Sequence, residues 1–360
     1  MKNAIRIGAV VAASALALAA CSSAPEETTS PESTGAATSE TSESAMASVD
    51  YKACMVSDAG GFDDNSFNES GYDGLTQAET ELGIEINTAE SADENDFGPN
   101  IDAMVADGCD MIITVGFLLG DATAAAAVAN PDVNFALIDS TVDPEAPNVK
   151  PILFETDQAA FLAGYVAAGT SETGSIGTYG GINIPPVSIF MNGLLAGANY
   201  FNSETDGDVK VLGWDGENGS FVDNFDDAPK SQTIAEGMLD QGADIIMPVA
   251  GPIGGAAEVA ITDNGSGWFI GVDKDWTQST PEYSDIILTS VLKNIGNAVF
   301  DVISAAAVDG TFDSTPYLGT LENEGVGLAE LNAAVPADVA GAVDGLKAGI
   351  IDGSISVAVS

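Results

Sequence analysis

The stretch IEINTAESADENDFGPNIDAMVADGCDMIITVG, residues 84–116, reads as a strand, a helix and a second strand in succession. Ile84–Thr88 and Met111–Gly116 are short apolar runs, and between them Phe97–Ala106 carries apolar residues at helical spacing. A helix between two strands implies a parallel pair joined by a right-handed crossover. The same alternation continues almost from end to end. Strands are expected at 51–57, 84–88, 111–116, 134–139 and 149–154, then at 175–179, 209–214, 245–249, 268–272 and 286–291. Helices such as 71–82, 187–201 and 228–239 lie between them. Two runs of strands, one on each side of position 155, predict an α/β chain with two doubly wound parallel-sheet lobes.

In such sheets a ligand lies in the crevice outside the carboxyl ends of the strands. The loops that follow the expected strands are Asp58–Asn68, Gly116–Leu118, Asp139-Ser140, Gly180-Gly181, Phe221–Asp227, Ala250–Pro252 and Asp273–Trp276. Carboxylates, amides, glycines and aromatic rings are concentrated there. That set suits a polar ligand with a flat apolar face, because carboxylates accept hydroxyl hydrogens, glycines permit close approach and rings stack.

At the N-terminus, Lys2 and Arg6 precede the uncharged apolar run Ile7–Ala20, which stops at Cys21. The run is short for a membrane span, so 1–20 is expected to be a signal peptide. Leu18-Ala19-Ala20-Cys21 has the form of a lipobox, in which the Cys21 sulfur takes a diacylglycerol. Ser22–Ser48 is nearly all Ser, Thr, Ala, Glu and Pro, so 21–49 is expected to be a lipidated cysteine and a disordered tether with a reach of about 30 Å. The roughly 310 residues that remain exceed what one core usually serves, which again predicts two lobes.

Without Lys2 and Arg6 the chain has seven basic residues against 55 acidic ones, a net of −48. Such a charge repels phosphate backbones and argues against nucleic acid as a partner. Histidine is absent, which removes the commonest general base and the commonest metal ligand; no catalytic residue, metal or cofactor is expected. Cys54 and Cys109 each border an apolar run. They either pair or stay as two buried thiols, and geometry decides between the two.

Six segments resemble the basic membrane protein family: Val56–Asn68 with its Asp63-Asp64-Asn65-Ser66-Phe67-Asn68 core, Phe161–Tyr165, Gly180–Val187, Gln241–Ile246, Gly271–Asp273 and Thr289–Lys293. Its members are substrate-binding lipoproteins of ABC transporters, including purine nucleoside receptors, with the type I periplasmic-binding-protein fold. The resemblance implies a three-segment hinge crossed near Phe154, Thr289 and Thr315. Lobe one would hold 50–155 with 288–312, and lobe two 156–287 with 313–360. It also implies a monomeric receptor, held to the cell membrane by its lipid, that passes a nucleoside to an ABC permease. A sugar or other small-solute receptor is the alternative of the same fold; a nucleoside hydrolase and a surface adhesin or signalling receptor are the alternatives of other classes.

Carried over by resemblance, Asp58 and Asn68 bond the edge of a nucleobase and Phe67 stacks on its face, with Phe225 as the opposing ring. Gly251, Asp273 and Lys293 hold ribose hydroxyls, joined by Asp121 as a weaker correspondence. Trp276 and the Pro252-Ile253-Gly254 loop depart from the family pattern. Asp58 and Asp273 each follow a strand that faces the crevice, whereas Asp63, Asp64, Asp226 and Asp227 read as turn residues or helix-starting charges. Phe62 and Phe221 rank below Phe67 and Phe225 as ligand contacts. Lys293 precedes a helix expected over 294–308, where a cation meets the positive end of the helix dipole, so a crevice carboxylate or ligand oxygens should offset it.

Overall fold

The structure, a computed structural model, describes residues 49–358. The expected signal peptide, Cys21 with its expected lipid, and the expected tether through position 48 lie outside the described residues. Lobe one opens with β1 (Lys52–Val56), α1 (Phe67–Leu82), β2 (Glu85–Ala89), α2 (Glu94–Ala106), β3 (Met111–Val115), α3 (Gly120–Ala129), β4 (Asn134–Ile138) and β5 (Val149–Phe154). Lobe two follows with α4 (Thr156–Thr170), β6 (Ser175–Gly180), α5 (Pro185–Thr205), β7 (Lys210–Leu212), α6 (Ala228–Asp240), β8 (Ile245–Val249), α7 (Ala256–Asn264), β9 (Trp268–Asp273), α8 (Trp276–Ser279) and β10 (Ile287–Lys293). The chain returns to lobe one for α9 (Ile295–Ala307) and β11 (Tyr317–Gly319). It then crosses to β12 (Val326–Leu328) and ends on α10 (Ala337–Ile351).

The two sheets share one strand order. Lobe one reads β11-β5-β4-β3-β1-β2, parallel throughout, and lobe two reads β12-β10-β9-β8-β6-β7, parallel except for β12. Helices cover both faces, so the central strands are buried on both sides; all five residues of β3 and of β8 are buried. Burying one Ile or Val side chain is worth about 1.5–3 kcal/mol, which is why such uniform runs settle in the middle of a sheet. This is the type I periplasmic-binding-protein architecture.

Glycines let helices approach where lobe two is tightest. A Cβ on Gly197 of α5 would lie 2.0 Å from the Phe161 carbonyl oxygen of α4, and one on Gly164 of α4 would lie 2.1 Å from the Leu194 oxygen of α5. Cys54 of β1 and Cys109, just before β3, are joined by a disulfide with their Cα atoms 6.0 Å apart. Geometry thus decides for the bonded pair.

Two of the expected hinge crossings move. The first lies between β5 and α4, near Phe154. β10 belongs to lobe two rather than lobe one, because Thr289–Leu292 pair with Ile270–Asp273 of β9. Residues 317–319 belong to lobe one, where they pair with Ile152–Phe154 of β5. The second crossing therefore falls between Lys293 and Ile295, and the third between Gly319 and Val326. Both places follow from strand pairing: β10 lies between β9 and β12, whereas residues 317–319 add to the open edge of β5.

Candidate ligand-binding cleft

The carboxyl ends of both sheets converge on one cavity of about 70 Å³ between the lobes. On the lobe-one side the loop after β1 carries Asp58 and then turns into α1. Asp64 starts that helix: its carboxylate accepts from the backbone N–H groups of Ser66, Asn68 and Glu69 at 2.9, 3.0 and 3.0 Å. This fixes Phe67 and Asn68 in the first turn with their side chains in the cleft. Asn68 donates through Nδ2 to Asp58 Oδ1 at 2.8 Å and to Asp64 Oδ2 at 3.2 Å, while its own Oδ1 is buried without a protein partner. Gly116, φ +114°, follows β3; a Cβ there would fall 2.5 Å from Asp58 Oδ2, so only glycine lets the chain pass this carboxylate.

Lobe two contributes Asp273, the last residue of β9, and Lys293, the last of β10. Lys293 is almost fully buried and forms an ion pair with Asp139, which follows β4 of lobe one. Its ammonium also lies 4.9 Å from the ring centre of Phe67, 5.4 Å from that of Phe154 and 5.6 Å from that of Phe190. An ammonium boxed by three rings and one carboxylate is held by its surroundings and keeps its hydrogens directed at acceptors. The expected offset to the helix dipole is therefore Asp139. Ser66 Oγ donates to Asp273 Oδ2 across the lobes at 3.3 Å.

Phe225, in the loop between β7 and α6, lies against the backbone of Gly181, where a Cβ would meet its ring at 2.2 Å. It faces the cavity beside Gly251. The start of α5 adds Ile184, Pro186, Val187 and Phe190 to the wall. Pro185 and Pro186 have no N–H, and the N–H groups of Ile184, Val187 and Ser188 are spent on Ile182 and Ile184 carbonyls. The first turn of this helix therefore offers the cleft no donor, unlike an anion-binding helix terminus.

Four carboxylates, Asp58, Asp64, Asp139 and Asp273, share the cavity with one ammonium. Burial pushes Asp58 up to about 7, helped by the charges of Asp64 and Asp139 and opposed by the Asn68 hydrogen bond. Asp273 is pushed up to about 6, again by burial first, with Lys293 pulling the other way and Asp139 and Asp64 adding to the rise. Asp139 is raised by burial against the pull of Lys293. Such a site stabilises hydroxyl and N–H donors and repels anions.

Seven of the eight sequence-derived ligand residues line this cavity: Asp58, Phe67, Asn68, Phe225, Gly251, Asp273 and Lys293. Asp121 does not. It is exposed in the first turn of α3, where its charge suits the helix dipole, and the lobe-one carboxylate that enters the cleft beside Lys293 is Asp139. Asp64 both starts α1 and lines the cavity. Phe62 packs on Tyr72 with ring centres 5.1 Å apart, and Phe221 stands edge-on to Trp214 at 6.0 Å; neither lines the cavity. Trp276 is buried against Phe269 and donates its indole N–H to the Val272 carbonyl, so it serves the core.

A family model described as "ABC transporter substrate-binding protein PnrA-like" matches residues 51–359. The "ABC transporter nucleoside-binding protein BmpA" of Lactococcus lactis subsp. cremoris is 32% identical, covering 99% of each chain. "Basic membrane protein A" of Borreliella burgdorferi is 33% identical over 83% of this chain and 85% of its own. Among solved structures, an ABC transporter solute-binding protein from Aeropyrum pernix K1 superposes with a TM-score of 0.77 at 26% identity, covering 85% of this chain and 92% of its own. The Lactococcus and Aeropyrum relatives are named as ABC transporter binding proteins rather than enzymes. The chain belongs to the Bmp family of ABC transporter substrate-binding proteins, extracytoplasmic receptors that serve a membrane transporter.

Proposed function

We propose that the chain is a lipid-anchored nucleoside receptor, with purine nucleosides its first choice, and that it delivers them as a monomer to an ABC permease. The observation that carries this reading is that Phe67 from lobe one and Phe225 from lobe two line one cavity together with four carboxylates and the Asn68 amide. Two rings from opposite sides favour a flat π-system, and Asp58 with the free Oδ1 of Asn68 supplies acceptors along its edge. Asp139, Asp273 and Lys293 are suited to ribose hydroxyls. The donor-free start of α5 and the surplus of carboxylate disfavour a phosphate, so nucleotides rank last. The Lactococcus relative, named for nucleoside binding, supports the same class. Cys21 is the anchor in this reading.

Calorimetric titration of ligand-stripped protein with adenosine, guanosine, inosine, cytidine, ribose, glucose and AMP tests the ranking. Purine nucleosides should bind tightest and AMP should give no heat. Tight binding of a sugar with no response to any nucleoside overturns the nucleoside assignment and leaves the solute receptor standing. For the anchor, Cys21→Ala should release the protein as a soluble, ligand-competent species; retention in the membrane fraction after a salt wash rejects it.

A further inference from the structure

The two lobes meet across like charge. Lobe one, 49–154 with 294–320, carries 24 acidic residues against two lysines, and lobe two, 155–293 with 321–358, carries 26 against five. Lobes of formal charge −22 and −21 in total are brought together whenever the cleft shuts, and an uncharged ligand offsets neither. The lysines of lobe one are engaged within it. Lys52 pairs with Asp107, and Lys150 donates to the backbone oxygens of Asp313 and Thr315.

Two lysines of lobe two do cross. Lys293 enters the ligand cavity and pairs with Asp139. Lys274, one residue beyond Asp273, reaches out of lobe two to α1, where it meets Asp73 Oδ2 at 2.9 Å and Glu69 Oε1 at 3.2 Å. Glu69 and Asp73 stand four residues apart, one turn of the helix, so one ammonium spans both. Lys274 is absent from the ligand cavity and borders a separate polar groove between the lobes, alongside Gln77 and Asn297. It is the described residue that ties the lobes electrostatically without standing where a ligand would lie.

We infer that Lys274 is an inter-lobe latch: by bridging Glu69 and Asp73 it holds two acidic lobes together and so sets the affinity for the ligand without touching it. The role holds for whatever uncharged ligand the cleft takes. Three side chains of one hydrogen-bonded cluster lose less freedom than two isolated pairs, which favours the arrangement at a half-exposed site. Its effect belongs to low and moderate salt, since the screening length shrinks to about 3 Å at 1 M.

The test compares full-length wild type with Lys274→Gln, Lys274→Glu and a charge control, Lys210→Gln, whose side chain is exposed on β7 at the edge of lobe two. Melting curves establish that each variant folds. X-ray scattering from ligand-free protein in 20 mM NaCl, extrapolated to zero concentration, should give both Lys274 variants a larger radius of gyration than wild type and the Lys210 variant an equal one. The differences should close in 1 M NaCl. With adenosine as probe in 20 mM NaCl, Lys274→Gln should raise Kd about two- to fivefold and Lys274→Glu about tenfold or more, while Lys210→Gln leaves it unchanged. Equal behaviour of wild type and both Lys274 variants in scattering and titration overturns the latch. So does an equal loss in the Lys210 control, which would assign the effect to net charge alone. If adenosine fails to bind wild type, the nucleoside reading fails and the scattering comparison alone decides the latch.

Discussion

Asp58 should destabilise the ligand-free protein at neutral pH, and Asp58→Asn should make it more stable. The carboxyl is half-buried between Gly116, Asn68 and two other carboxylates, and its pKa rises from 3.8 to about 7. Between those values the folded chain holds a proton that the unfolded chain has lost, so stability falls as pH rises through this window and levels off above about 7. Three units at 1.36 kcal/mol each set an upper bound of about 4 kcal/mol. Relaxation around the ionised group brings the expected difference to about 2–4 kcal/mol. An asparagine keeps the bond from Asn68 Nδ2, because its amide oxygen accepts as the carboxylate did, and it removes the charge that Asp64 and Asp139 oppose. Thermal unfolding of ligand-stripped wild type and variant, followed by circular dichroism at fixed salt from pH 4 to 8, reads the effect directly. At pH 4 the two should melt together; at pH 8 the variant should melt roughly 3–6 °C higher. Asp139, Asp157, Asp273 and Glu258 are raised as well, but they are common to both proteins and cancel in the comparison. A difference that stays constant with pH, or a wild type that gains on the variant as pH rises, would refute the placing of a strained carboxylate at this position.

Three further outcomes follow from the same geometry. Phe67→Ala should weaken nucleoside binding by about 1–3 kcal/mol in calorimetry while lowering the ligand-free melting temperature much less, as expected for a half-exposed stacking ring. Lys293→Met leaves Asp139 buried without its cation and should cost about 3–5 kcal/mol in denaturant unfolding; most of this should return in the Lys293→Met/Asp139→Asn double variant, and a purely additive double loss contradicts the pairing. Replacing both Cys54 and Cys109 by serine removes a bond across 55 residues of sequence and should lower stability by about 2–4 kcal/mol, with unchanged stability counting against a bonded pair.

The strands were legible because their apolar runs are short, uniform and punctuated by Gly and Asp; all ten expected strands are present, most within two residues of their expected ends. β11 and β12 were not. Three residues, Tyr317–Gly319 or Val326–Leu328, cannot display a period, and each forms only because an open sheet edge lies beside it. That also explains the misplaced crossings, since residence in a sheet is a long-range pairing with no local signature. At the site, Phe67 and Asp58 stood out by type and by following a strand. Asp139 lay in one of the marked loops, yet in a chain with 55 acidic residues its role beside Lys293 shows only once β4 and β10 are brought together.

A second signal was present, and it lies in the duplication of the sheets. Because both lobes use one strand order, β4 corresponds to β9 and β5 to β10. The residue that closes the fourth strand's run is aspartate in each half, Asp139 and Asp273, and both adopt the left-handed backbone, φ 64° and 68°. Asp is among the few non-glycine residues that tolerate this conformation, and its recurrence at equivalent places turns a carboxylate toward the cleft from each side. At the end of the fifth strand the halves differ: lobe one has Phe154 and lobe two has Lys293. Two aspartates turned inward without a cation would repel each other in a buried space, whereas one lysine between them, resting 5.4 Å from the Phe154 ring that occupies its own equivalent position, lets the pair persist. The symmetry of the fold thus supplies the carboxylates twice, and the break in that symmetry supplies the single charge that makes them compatible.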